Sequence, residues 1–61
     1  MSKFQRRHYE YMAMILGGVS YPARLLATES FIRGLKRDNP AFDPDKFRER
    51  VEAYAKGIVM R

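Results

Sequence analysis

Apolar residues recur along this chain at helical spacing. Over residues 3–16, Phe4, His8, Tyr11, Met12 and Ile15 share one face, and Lys3, Arg6, Arg7 and Glu10 fall on the other. Ser2 followed by Gln5 fits a capping box for this first helix. Gly17 and Gly18 predict its end, because glycine takes the left-handed conformation that caps helices. A second helix is predicted over residues 22–38, with Pro22 in its first turn and Leu25, Thr28, Phe31, Ile32 and Leu35 as its apolar stripe. Glu29, Arg33, Lys36 and Arg37 lie opposite, Glu29 and Arg33 being spaced for an ion pair within the helix. Gly34 weakens this helix by ~1 kcal/mol relative to alanine, marking either close packing or a tolerated fault. Asn39 before Pro40 ends it, since a residue preceding proline avoids the helical region. A third helix is predicted over residues 44–56, with Phe47, Val51, Tyr54 and Ala55 on one face and Glu49, Glu52 and Lys56 outside. Gly57 caps it, and Ile58, Val59 and Met60 follow as an apolar tail.

The stretch RDNPAFDPDKFRER, residues 37–50, poses a choice between an acidic site and a helix boundary. Asp43 suits an N-cap, Pro44 the first helical position, and Asp45 the first turn, where the helix dipole favours negative charge. Phe42 before the cap and Phe47 inside the helix fit a hydrophobic staple. A calcium loop needs a central glycine and a distal glutamate at fixed spacing; rigid Pro44, then Lys46 and Phe47, stand there instead. The stretch therefore reads as punctuation between two helices.

Size sharpens the picture. The chain has 61 residues, enough for one helical domain over residues 1–61, a small all-α bundle of three helices. It holds no cysteine and one histidine, so neither disulfides nor a thiolate or histidine-rich metal site can staple it. Dimerisation is an alternative staple. The tail residues Ile58, Val59 and Met60 are expected to pack near Ile15, within the chain or across a dimer, with His8 and Met12 facing a second chain. The longest apolar run, YMAMIL, is too short to cross a membrane or to form a good signal-peptide core, so a cytoplasmic protein is expected.

No catalytic constellation emerges. His8 is the one candidate base, and its place mid-stripe suits a packed or interface residue with one satisfied nitrogen. The Gly17-Gly18 pair lacks the lysine and spacing of a phosphate-binding loop. No cofactor is expected, and the chain reads as a non-enzyme. Tyr11 and Tyr54 fall in apolar stripes and are expected in the core; Tyr9 and Tyr21 lie at stripe edges and are open.

RRHYEYMAMIL and DNPAFDPDKFRERV together resemble a group of very short proteins from tailed bacteriophages and prophages. The likeness rests on Arg7-His8-Tyr9, Asn39-Pro40, Phe42-Asp43 and Phe47, covering both ends of the chain but not its middle. It implies an accessory protein acting in the bacterial host cytoplasm.

The formal net charge of +5 suits an acidic or polyanionic partner. One expectation is a module that binds and modulates a host protein. Leu26 near Arg33, and Met14 on the first helix, are apolar residues on faces otherwise polar, which suits contact points. His8, Met12, Met14, Ile58 and Met60 are the candidate interface residues. The alternative is a nucleic-acid binder contacting the phosphate backbone through Arg6, Arg7, Arg33, Lys36 and Arg37. Along the sequence these form two separate clusters matching no helix-turn-helix, which favours the first expectation.

Overall fold

A computed structural model describes residues 5–57. It contains α1 (Arg6–Gly17), α2 (Ala23–Asp38) and α3 (Pro44–Ala55), and no strand among the described residues. The all-α three-helix reading therefore holds. The helix boundaries follow from local chemistry. Asp43 Oδ1 accepts the N–H groups of Asp45 and Lys46 at 3.1 and 3.2 Å, with Pro44 in the first turn, as the sequence predicts. Gly57 takes a positive φ of 76° just past α3, where only glycine is unstrained.

Helix α1 starts later than the predicted residue 3. Gln5 is extended and serves as its N-cap. His8 takes the part a glutamate plays in a capping box: its Nδ1 accepts the Gln5 N–H at 2.9 Å, while its own N–H donates to the Gln5 carbonyl at 2.9 Å. The cap expected of Ser2 lies outside the described residues, as do Phe4 and the tail of Ile58, Val59 and Met60. Helix α2 begins at Ala23 with Pro22 as its N-cap, one residue after the predicted start.

Cross-helix contacts define an up–down–up bundle. Tyr9 of α1 packs on Phe42, just ahead of α3, with ring centroids 5.2 Å apart. Further along, Glu10 meets Arg50, and Gly17 lies against Tyr54 and Ala55, so α1 and α3 run parallel. Helix α2 is antiparallel to both: Arg24 reaches Glu52, Glu29 reaches Arg48, and Lys36 Nζ donates to the Phe42 carbonyl. Most of the packing joins α1 to α3.

The core consists of Ala13, Leu16, Ile32, Leu35, Phe42, Phe47 and Val51, with Tyr9, Met12, Ala27 and Tyr54 packed against it. The Phe42–Phe47 staple is present, its ring centroids 5.5 Å apart. Burying one such side chain contributes about 1.5–3 kcal/mol relative to leaving it exposed.

Two predicted stripes are misaligned. Tyr11 and Ile15 were expected inside, yet they are 61% and 51% exposed. Helix α1 instead buries Ala13 and Leu16, a face turned by one residue, about 100° at 3.6 residues per turn. The reason is the contact with α3. A Cβ on Gly17 would sit 2.6 Å from Tyr54 Cβ and 3.0 Å from the Ala55 nitrogen. Ala13, one turn earlier on the same face, is fully buried. These two small residues turn α1 so that its backbone approaches α3, and the bulkier Tyr11 and Ile15 point away. Gly18, expected to cap by left-handed geometry, has φ −83°; the glycine pair is needed for close approach at Gly17. On α2, Thr28, Ile32 and Leu35 are buried, whereas Leu25 and Phe31, at the flanks of the predicted stripe, are largely exposed.

Gly34 has open space where a Cβ would stand, which identifies it as the tolerated fault. Gly34→Ala should therefore stabilise the fold by about 0.5–1 kcal/mol. Gly17→Ala gains similar helix propensity but meets Tyr54 Cβ and the α3 backbone, which cannot yield, so a net loss of about 1–3 kcal/mol is expected. Urea unfolding of the two variants should move the midpoint in opposite directions.

Candidate functional site

Charge is sorted by the bundle into spent and unspent residues. Helix α3 carries arginines at both borders of its Phe47–Val51 face, and each reaches a neighbouring helix. Arg48 forks onto Glu29 of α2 at 2.7 and 2.9 Å, and also pairs with Asp45 at 2.9 Å. Arg50 forks onto Glu10 of α1, its nearest approach 2.8 Å, and the Tyr54 hydroxyl donates to the same carboxylate at 3.1 Å. Arg24 of α2 forks onto Glu52 at 3.0 and 3.2 Å and donates to the Val19 carbonyl at 3.2 Å. The expected pair of Glu29 with Arg33 is thus replaced. Glu29 turns to Arg48, because a guanidinium fork fits a carboxylate in two bonds, and Arg33 donates to Ser30 Oγ instead. Sequence reading missed Arg24, Arg48 and Arg50. Their signal was position: residues bordering an apolar stripe are the ones that reach adjacent helices.

Most of the cations outside these pairs gather at one end, the exceptions among the described residues being Arg33 on α2 and Lys56 after α3. Because α1 and α3 run parallel and α2 returns, the start of α1, the end of α2 and the start of α3 lie together around Phe42. Arg6, Arg7, Arg37 and Lys46 stand there, all exposed. Lys36 is exposed too, and ties the end of α2 to the following turn. The two basic clusters that are far apart in sequence are brought to one end of the bundle. Lys46 was hidden in the sequence among three aspartates. Of these, Asp43 caps α3 and Asp45 lies on Arg48.

Exposed apolar side chains lie elsewhere. Ile15 lies in the last turn of α1, and Tyr21, Leu25 and Leu26 follow across the short connection into α2, at the end opposite the basic cluster. Tyr21 is 65% and Leu26 69% exposed; Tyr11 and Phe31 are exposed nearer mid-height. Arg24 stacks over the Tyr21 ring at 5.5 Å from its centroid. On α2, Leu26 and Arg33 stand two turns apart on the outward face, opposite Thr28, Ile32 and Leu35. The remaining sequence candidates divide. His8 is half-buried and serves in the α1 cap; Met12 is half-buried against the core of its own chain; Met14 is half-buried. Ile58 and Met60 lie outside the described residues.

Among the described residues no group of three or more His, Cys, Asp or Glu could hold a metal ion, and no helix is long and apolar enough to cross a membrane. The chain matches no family model, and comparison with curated proteins and with solved structures likewise gives no match.

The ion pairs give stability a direction with pH. The Arg50 hydrogen bond, opposed by partial burial and reinforced by the Tyr54 hydroxyl, holds Glu10 below its ordinary value of 4.5. Arg48 lowers Glu29 in the same way. A carboxylate held low in the folded state stabilises it above the ordinary value, and the effect is lost as pH falls through the lowered one. The thermal midpoint should therefore change little down to about pH 5 and fall below the ordinary 4.5. Glu10→Gln should lower the midpoint at neutral pH and flatten the acid limb; an unchanged acid limb would exclude Glu10 as a contributor.

Proposed function

We propose that this protein is a non-enzymatic binding module that contacts a bacterial host protein, as a phage or prophage accessory protein would. The observation that carries the reading is the set of large apolar side chains left in solvent: Tyr11, Ile15, Tyr21, Leu25, Leu26 and Phe31. Among the described residues the core buries seven hydrophobic side chains, one of them the small Ala13, so as many large hydrophobes face outward as inward. Scattered exposed apolar residues are ordinary, but a gathering such as Ile15, Tyr21, Leu25 and Leu26 at one end supports a protein partner. Aromatic and branched anchors of this kind dominate protein interfaces. Arg33, on the same outward face as Leu26, favours a partner whose apolar pocket has an acidic rim.

The reading is tested by capture from bacterial lysate with the wild type and with Ile15→Ser/Leu26→Ser. Both replaced side chains are exposed, so helicity should be preserved. A captured host protein should survive nuclease treatment and bind the variant about tenfold more weakly, equivalent to ~1.4 kcal/mol of lost contact. Equal capture by both forms, or capture abolished by nuclease, would refute it. Sedimentation equilibrium showing that the wild type dimerises and the variant does not would assign the apolar end to a second copy instead.

A further inference from the structure

From the charge layout we infer that the end of the bundle formed by the start of α1, the turn after α2 and the start of α3 binds the phosphate backbone of nucleic acid. The fold accounts for the +5 charge unevenly. Arg24, Arg48 and Arg50 are consumed in forks that join helices, and they take Glu10, Glu29, Asp45 and Glu52 with them. Of the cations left among the described residues, Arg6, Arg7, Lys36, Arg37 and Lys46 lie at this end, while Arg33 stands on the outer face of α2 and Lys56 at the far end of α3. The acids at the basic end offset its charge only in part: Asp45 lies on Arg48, and the five cations outnumber Asp38 and Asp43, whose charge remains although Asp43 caps α3. Helices α1 and α3 begin there and α2 ends there, so two positive dipole ends stand against one negative end.

The partner class follows from what this end lacks. Among the described residues none of the large exposed hydrophobes belongs to it: Ile15, Tyr21, Leu25 and Leu26 are at the opposite end, and Tyr11 and Phe31 lie between. A protein interface needs buried aromatic or apolar anchors. A phosphate backbone is bound by cations alone, through counterion release, without reading bases. Sequence-independent contact of this kind needs no recognition helix, so the poor match to a helix-turn-helix is no obstacle. The inference is independent of the proposed protein contact, which uses the other end of the molecule.

The experiment measures affinity for a short duplex DNA of random sequence, for a single-stranded RNA and for poly-glutamate, across a salt series. The proteins compared are the wild type, Arg6→Gln/Arg7→Gln/Arg37→Gln, and the apolar-end variant Ile15→Ser/Leu26→Ser. Among the described residues the replaced arginines make none of the inter-helix ion pairs, and circular dichroism with thermal melts confirms that each variant is folded. The wild type should bind at least one of the two nucleic acids more tightly than poly-glutamate. In the arginine variant the slope of log K against log salt should shrink by about 3 on duplex or about 2 on single strands. The apolar-end variant should bind nucleic acid as the wild type does, so loss of host-protein capture and loss of nucleic-acid binding are separable. An unchanged slope in the arginine variant overturns the inference. So does poly-glutamate bound as tightly as nucleic acid, which would assign the end to an acidic protein, or absence of nucleic-acid binding at low salt.

Discussion

The fold depends on the close approach of two backbones at Gly17. Tyr54 Cβ and the Ala55 nitrogen occupy the space a side chain there would need. With Ala13 buried one turn earlier, the contact fixes both the separation and the rotation of α1 against α3. Rotation decides the rest. It turns Leu16 and Tyr9 toward Phe42, Phe47 and Val51, and it leaves Tyr11 and Ile15 in solvent. It also brings Glu10 to the border of the interface, where Arg50 and Tyr54 close on it. One residue without a side chain therefore specifies which face of α1 becomes core and which becomes surface.

Helix α3 is the hub. It packs against α1, and its arginines fork outward to both neighbours, with Arg24 returning the contact from α2. These forks are solvent-accessible and weakened by salt, so hydrophobic burial supplies most of the stability. Their contribution is register: each guanidinium seats in one carboxylate and holds the helices at one axial offset. A second consequence is the separation of charge from apolar surface. Glu10, Glu29 and Glu52 are held by arginines of α3 and α2, most of the remaining cations among the described residues stand at one end, and Ile15, Tyr21, Leu25 and Leu26 stand at the other.

Local chemistry was legible in the sequence, and inter-helix geometry was not. Asp43, Pro44 and the Phe42–Phe47 staple act over a few residues, and each was assigned its role correctly before any contact was known. The end of α2 before Pro40 and the glycine after α3 were legible for the same reason. The face of α1 was misread because periodicity fixes spacing but leaves phase to the largest apolar residues; here Ala13 and Gly17 set the phase. Glu29 was assigned to Arg33 because the two are close in sequence, whereas Arg48 offers a two-bond fork. The basic clusters were identified residue by residue, but their convergence follows from the parallel arrangement of α1 and α3, which no local rule supplies.

The central claim is that Gly17 seats α1 on the end of α3 and so sets the rotation of α1. A nuclear Overhauser spectrum of the labelled protein tests it directly. The account predicts cross-peaks from the Gly17 α protons to the β protons of Tyr54, together with contacts between the Tyr9 and Phe42 rings. Contacts from Tyr11 and Ile15 to α3 in place of Gly17, the pattern of a helix rotated by one residue, would contradict it.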